Sequence, residues 1–166
     1  SALPQHRIFS IADPDAVLDG FTIFNGYKSD GAGVNLLDGT LRNCLIVSNW
    51  ANNAFGGGIR MYGGMVDNCT IAFNKSRWAA IVVDGGELDS CVIYSNQVGV
   101  GGTAGGGGGV EIDNAGSRLR NCLIFGNGAA AGGGGVRVNS GGGQVENCTI
   151  VSNSTVNGYS SGGGLY

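Results

Sequence analysis

The residues best suited to chemistry are few: five cysteines, a single histidine (His6) and 12 Asp or Glu in 166 residues. Cys44, Cys69, Cys91, Cys122 and Cys148 form no CxxC pair, and one histidine cannot complete a Cys/His zinc set. Each cysteine holds the same place in a repeat, which points to a stacked column. The Cα spacing of neighbouring coils would admit a disulfide, but parallel, in-register side chains aim badly for one, and an odd count leaves a thiol over. The expected state is a set of buried, reduced thiols serving as small hydrophobes. Asp84 with Glu87, and Asp113 with Asn114, are the acidic groupings suited to a cation, and solvated turns account for both. Trp50, Phe55 and Trp78 occur near Lys75 and Arg77, and aromatics beside cations can make a sugar platform. The competing role for Trp50 and Trp78 is to cover an apolar strand face. The glycine runs at 56–58, 105–109, 132–135, 141–143 and 162–164 lack the Gly-Lys-Ser/Thr of a phosphate loop and precede strands, so they read as turns. No cofactor is implied.

The elements that must position these residues follow from composition and repetition. Glycine occurs 34 times without a triplet period, which excludes collagen, and 42% hydrophobic residues exclude a Gly-rich disordered chain. A net charge of −3 leaves no basic footprint for nucleic acid. No apolar run approaches the roughly 18 residues of a membrane span. Ser1–Gln5 has neither the charged nor the apolar region of a signal peptide, as expected of a mature or excised piece.

One motif recurs as Leu41–Ile46, Val66–Ile71, Leu88–Ile93, Leu119–Ile124 and Val145–Ile150, with a degenerate copy, Leu18–Ile23, that places Phe21 where the others have Cys. An asparagine follows each full copy: Asn49, Asn74, Asn96, Asn127 and Asn153. A second motif alternates with the first, a small residue and then an apolar-x-apolar strand, at Val34, Ile59, Ile81, Val110 and Val136. Phe9 and Ile11 open that series, and Leu165 begins another copy. From this strand to the cysteine is always 10 or 12 residues, whereas the return runs from 12 to 19. One connection is fixed and the other is a tolerant loop. Short strands that recur in one direction without helices between them must stack in parallel, which makes a β-helix.

Three short strands per coil are expected, with a tight bend at Asn43, Asn68, Ser90, Asn121 and Asn147 before the Cys-x-Ile strand. Cys, Ile and Leu/Val columns then face inward. Leu45, Val92 and Leu123, with Tyr94 and Phe125, face outward as an apolar contact face. The column Arg42, Asp67, Asp89, Arg120, Glu146 should place opposite charges side by side, as should Glu87 with Arg118 and Glu111 with Arg137. Asn68, Asn74, Asn147 and Asn153 fit a glycosylation sequon, but ladder asparagines are expected to be buried.

Asn147-Cys-Thr-Ile-Val-Ser-Asn153 followed by Gly162-Gly-Gly-Leu165 resembles the secreted and surface right-handed β-helix proteins of bacteria, including polymorphic outer-membrane repeats. The segment Leu18–Gly26 is similar to their entry coil. The resemblance implies an all-β, right-handed parallel β-helix of about six coils, in one domain over 1–166, at the cell surface or outside the cell. That superfold also contains pectate lyases and other carbohydrate-active enzymes, so the resemblance alone does not assign a function.

The leading expectation is a non-enzymatic structural protein that self-assembles. Phe9 and Ile11 at one end and Leu165 and Tyr166 at the other share one phase of the coil, which suits head-to-tail stacking into filaments. Pro4 removes a donor, and Ser1–His6 is placed to cap the first coil in part. The alternative is a carbohydrate-binding module, or the remnant of a carbohydrate-active β-helix, taking polysaccharide at Trp50 and Trp78. An exposed aromatic platform would favour the alternative.

Overall fold

A computed structural model describes residues 5–99, 105–156 and 162–166. The chain forms a parallel β-solenoid of six coils, and each coil contributes one strand to each of four six-stranded sheets. One coil shows the plan. Ile81–Val83 lies in the first sheet, Glu87–Asp89 in the second, Val92–Tyr94 in the third and Gln97–Val98 in the fourth. The first three strands are those expected from the repeat. The fourth corrects the count: Tyr27–Lys28, Trp50–Ala51, Lys75–Ser76, Gln97–Val98, Gly128–Ala129 and Ser154–Thr155 form a sheet of their own.

Inward residues stack in register. Ile46, Ile71, Ile93 and Ile124 pair rung on rung and are fully buried. Leu41, Val66, Leu88 and Leu119 do the same in the second sheet. Each such side chain contributes about 1.5–3 kcal/mol by leaving water, so identical columns reinforce a single register. The bends take left-handed backbone as expected, with φ of 53° at Asn43, 48° at Asn68, 54° at Ser90, 55° at Asn121 and 50° at Asn147.

The cysteines are free thiols, buried in four coils and half-buried at Cys148. They are more than small hydrophobes. Cys44 Sγ donates to the Arg42 carbonyl (3.1 Å) and accepts the Phe21 N–H (3.4 Å) from the coil before. Hydrogen bonding with Cys122 and Cys69, together with burial, holds the Cys91 thiol well above its ordinary range.

A second column runs inside the corner between the third and fourth sheets. Asn74 Nδ2 donates to the Ile46 carbonyl (2.9 Å) and to Asn96 Oδ1 (3.1 Å), and Asn96 Oδ1 also accepts the Asn74 backbone N–H (2.9 Å). Asn49, Asn74, Asn96 and Asn127 are at most 1% exposed and repeat this pattern, and Asn153 continues it. The glycine before four of the first-sheet strands makes room for the ladder: a Cβ on Gly58 would stand 3.0 Å from Asn74 Nδ2, and one on Gly135 2.7 Å from Asn153 Nδ2.

Candidate functional site

Because the interior is uniform, anything that recognises a ligand must lie on the outward columns. In the first sheet these carry charge. Arg60 pairs with Asp84, and its guanidinium lies 4.9 Å from the Phe55 ring centre and 5.1 Å from that of Tyr62. Asn139 Nδ2 donates to Glu111 Oε1 (2.6 Å) and to Asp113, while Arg137 stands 3.6 Å from Glu111 Oε1. Glu111 is only 3% exposed. Burial pushes the Glu111 carboxyl above its ordinary value, against the pull of Asn139. Burial also raises Asp84, opposed by Arg60 and helped by Asp113. The sequence reading passed over Arg60, Glu111 and Asn139 as a group. The signal was present for Arg60 and Glu111, outward middle residues of first-sheet strands, but not for Asn139, which follows the strand Val136–Val138.

The second sheet carries the expected charged column in the expected register, with the expected Asp89–Arg120 pair formed and other partners changed. Arg42 pairs with Asp19 (2.9 Å) rather than with Asp67. Arg120 takes both Asp89 (3.2 Å) and Glu87, leaving Arg118 out of the Glu87 pair foreseen for it. Asn68 and Asn147 are exposed, contrary to the expectation that all the ladder asparagines are buried. They belong to the outer bends, where Asn68 donates to Asn43 and Asn147 to Asn121, each at 2.7 Å.

The third sheet presents the apolar face. Leu45 and Leu123 remain 38% and 39% exposed, so neither the Trp50 nor the Trp78 segment covers the face. The inward register is nevertheless as read, because Ile46, Ile93 and Ile124 are fully buried. The face shields itself along the column instead. Tyr94 stacks on Phe125 at 5.1 Å and meets Phe73 edge-on at 5.4 Å, and Val92 sits between Thr70 and Leu123.

Trp50 and Trp78 lie in different places and form no shared platform. Trp78 stacks on Phe55 (5.7 Å) beside Arg60, at the approach to the first sheet. Trp50 opens a fourth-sheet strand. The outward column of that sheet runs Tyr27, Trp50, Lys75, Gln97, Gly128, Ser154. Trp50 meets Tyr27 edge-on at 5.3 Å.

Beside this column runs a groove. Two adjoining cavities, of 470 and 430 Å³, share Phe73 and Lys75 in their walls, with Trp50 in the first and Gln97 and Ser154 in the second. A third, of 280 Å³, adjoins across Gln97, Gly128 and Ser154. Gly126 and Gly128 leave the floor open, since a Cβ at either would meet nothing closer than 3.8 Å. Phe73 occupies a corner that Ser48, Ser95, Gly126 and Ser152 fill in other coils, and it does so at φ 56°. A left-handed conformation costs a bulky residue about 1–2 kcal/mol. Here it holds the ring 52% exposed, next to a Trp50 that is 39% exposed. Phe73 and Gln97 escaped the sequence reading. The residue on either side of each ladder asparagine marks them.

The ends named for self-association are only partly open. His6 pairs antiparallel with Tyr27, exchanging backbone bonds of 2.6 and 2.8 Å, so it lies along the fourth-sheet edge of the first coil. The rest of the expected cap, Ser1–Pro4, lies outside the described residues. Phe9 is half-buried and Ile11 buried, whereas Leu165 and Tyr166 are exposed. Among the described residues no group of three or more His, Cys, Asp or Glu is arranged to hold a metal ion.

Fold and site together define a parallel β-solenoid with an aromatic-walled groove along one corner. Comparisons with protein-family models, curated proteins and solved structures return no match, so the solenoid is assigned from its own geometry.

Proposed function

We propose that this chain is a non-catalytic solenoid, displayed at a cell surface or outside the cell, that binds an extended polysaccharide in the groove beside the fourth sheet. The observation that carries this reading is the pair of exposed rings, Trp50 and Phe73, set beside Lys75 and Gln97 in adjoining cavities. The C–H faces of sugar rings stack on aromatic side chains, while amide and ammonium groups meet their hydroxyls. The groove crosses successive coils about 4.8 Å apart, close to the length of one sugar ring, so a polymer suits it better than a monosaccharide. Its described walls contain no carboxylate or histidine to serve as general acid or base, which favours binding over turnover.

Head-to-tail assembly through Phe9, Ile11, Leu165 and Tyr166 is less well supported. The antiparallel His6–Tyr27 pair occupies an edge where a second molecule would have to add a parallel strand.

Affinity electrophoresis in gels containing soluble polysaccharides tests the proposal. At least one polymer should retard the protein, and Trp50→Ala or Phe73→Ala should weaken that retardation about tenfold, the effect of about 1.4 kcal/mol. Tyr62→Ala, just past the first-sheet strand Ile59–Met61, should leave it unchanged. Retardation that ignores both groove substitutions would overturn the assignment.

A further inference from the structure

We infer that the polymer is an acidic polysaccharide whose carboxylates are met by Lys75, an inference that rests on the polysaccharide reading above. Its basis is where the charges lie. The stretches 21–28, 44–51, 69–76, 91–98, 122–129 and 148–155 form the third and fourth sheets and the corner between them. None of the 12 carboxylates falls in any of these stretches, whereas both lysines of the chain, Lys28 and Lys75, do. A protein with net charge −3 thus leaves one half of its circumference without negative charge, with Lys75 in the outward column of that half and Lys28 in register with the inward-facing Ala51.

Lys75 is exposed, lines both adjoining cavities, and forms no salt bridge among the described residues. The ion-paired arginines among the described residues, Arg42, Arg60, Arg120 and Arg137, all lie on the first or second sheet instead. A groove free of acidic residues around an unpaired ammonium group concentrates anions. A neutral glycan would gain less from that arrangement than an acidic one. A nucleic acid would need a run of cations to match its phosphates, and the groove offers one lysine and no arginine. Carboxylates spaced by sugar rings, with apolar ring faces between them, match both the cation and the aromatics.

Titration calorimetry with alginate and hyaluronate, each against its methyl-esterified form, tests the inference, with poly(dT) as a third class of polymer. The acidic form of at least one glycan should bind about tenfold more tightly than its ester, and high salt should remove that preference. Lys75→Ala should erase the preference, leaving acid and ester bound with one common, weakened affinity. Gly128→Asp, which adds a carboxylate where there is open space, should do the same without disturbing the core. Equal affinity for acid and ester would overturn the inference and leave the groove assignment standing. Binding of neither form would overturn both, and tighter binding of poly(dT) than of any glycan would replace the ligand class.

Discussion

Around one coil, the outer surface changes character between the second and third sheets. On the first two, carboxylates, arginines and asparagines satisfy one another: Asp84 with Arg60, Glu111 and Asp113 with Asn139, Asp89 with Arg120 and Asn121. On the other two there is no carboxylate, and rings, hydroxyls, an amide and a lysine face solvent. The same backbone supports both halves, and the same inward columns hold them. The difference teaches that this fold separates its tasks by column. The interior fixes the register, one outer half pairs most of its charges within itself, and the other is left open to a partner.

The largest expected effect concerns the buried ladder beneath the open half. Asn96→Ala leaves the Ile71 and Tyr94 carbonyls, the Asn74 N–H and the Asn127 oxygen short of partners in a dry interior. Unpaired buried groups cost about 1–3 kcal/mol each, so urea unfolding should show a loss of about 3 kcal/mol or more. Asn121→Ala, at an exposed bend of the closed half, should cost about 1 kcal/mol. Equal losses at the two positions would mean that the inner ladder has no special weight.

The contrast also explains what the sequence made legible. Cys, Ile and Asn recur because identical residues stack well inside, so three strands, the bends and the inward columns could be read from repetition. The fourth strand is two residues long, and its outward position varies from Trp50 to Lys75 to Gln97 to Gly128. Its inward residues, Ala51, Ser76, Val98 and Ala129, share only small size, a weak signal. Outer columns are where neighbours differ, so the groove had no repeat to announce it. Trp50 and Trp78 looked like partners in sequence because both occupy the variable connection. The fourth strand ends before Trp78, which therefore sits at the first sheet.

Glu111 sharpens the closed half. Its carboxyl is raised by burial, so its protonated form favours the fold. The stability it allows is complete below the unfolded value, near pH 4.5, and is lost as pH rises through the higher folded value. Glu111→Gln should therefore raise stability at neutral pH and change little near pH 4, as read by thermal melts at both. A variant that is less stable at neutral pH would show that the Arg137 contact outweighs burial.

Smaller effects should separate the two surfaces. Arg120→Ala removes contacts to Glu87 and Asp89 on a partly exposed face and should cost about 1 kcal/mol, less in high salt. Gln97→Ala on the open face should stay within about 0.5 kcal/mol. The thiols serve as an internal control. They should resist a thiol reagent in the native state and all react after unfolding without reductant, because none is in a disulfide.

The open half, and only that half, is expected to meet a ligand. Hydroxyl-radical footprinting of the protein with and without a retained polysaccharide tests it most directly. Protection of Trp50 and Phe73, with Tyr62 and the Phe55–Trp78 pair unchanged, is the expected result. Protection centred on Tyr62, Phe55 and Trp78, with Trp50 and Phe73 still reactive, would place the ligand on the closed half and contradict the account.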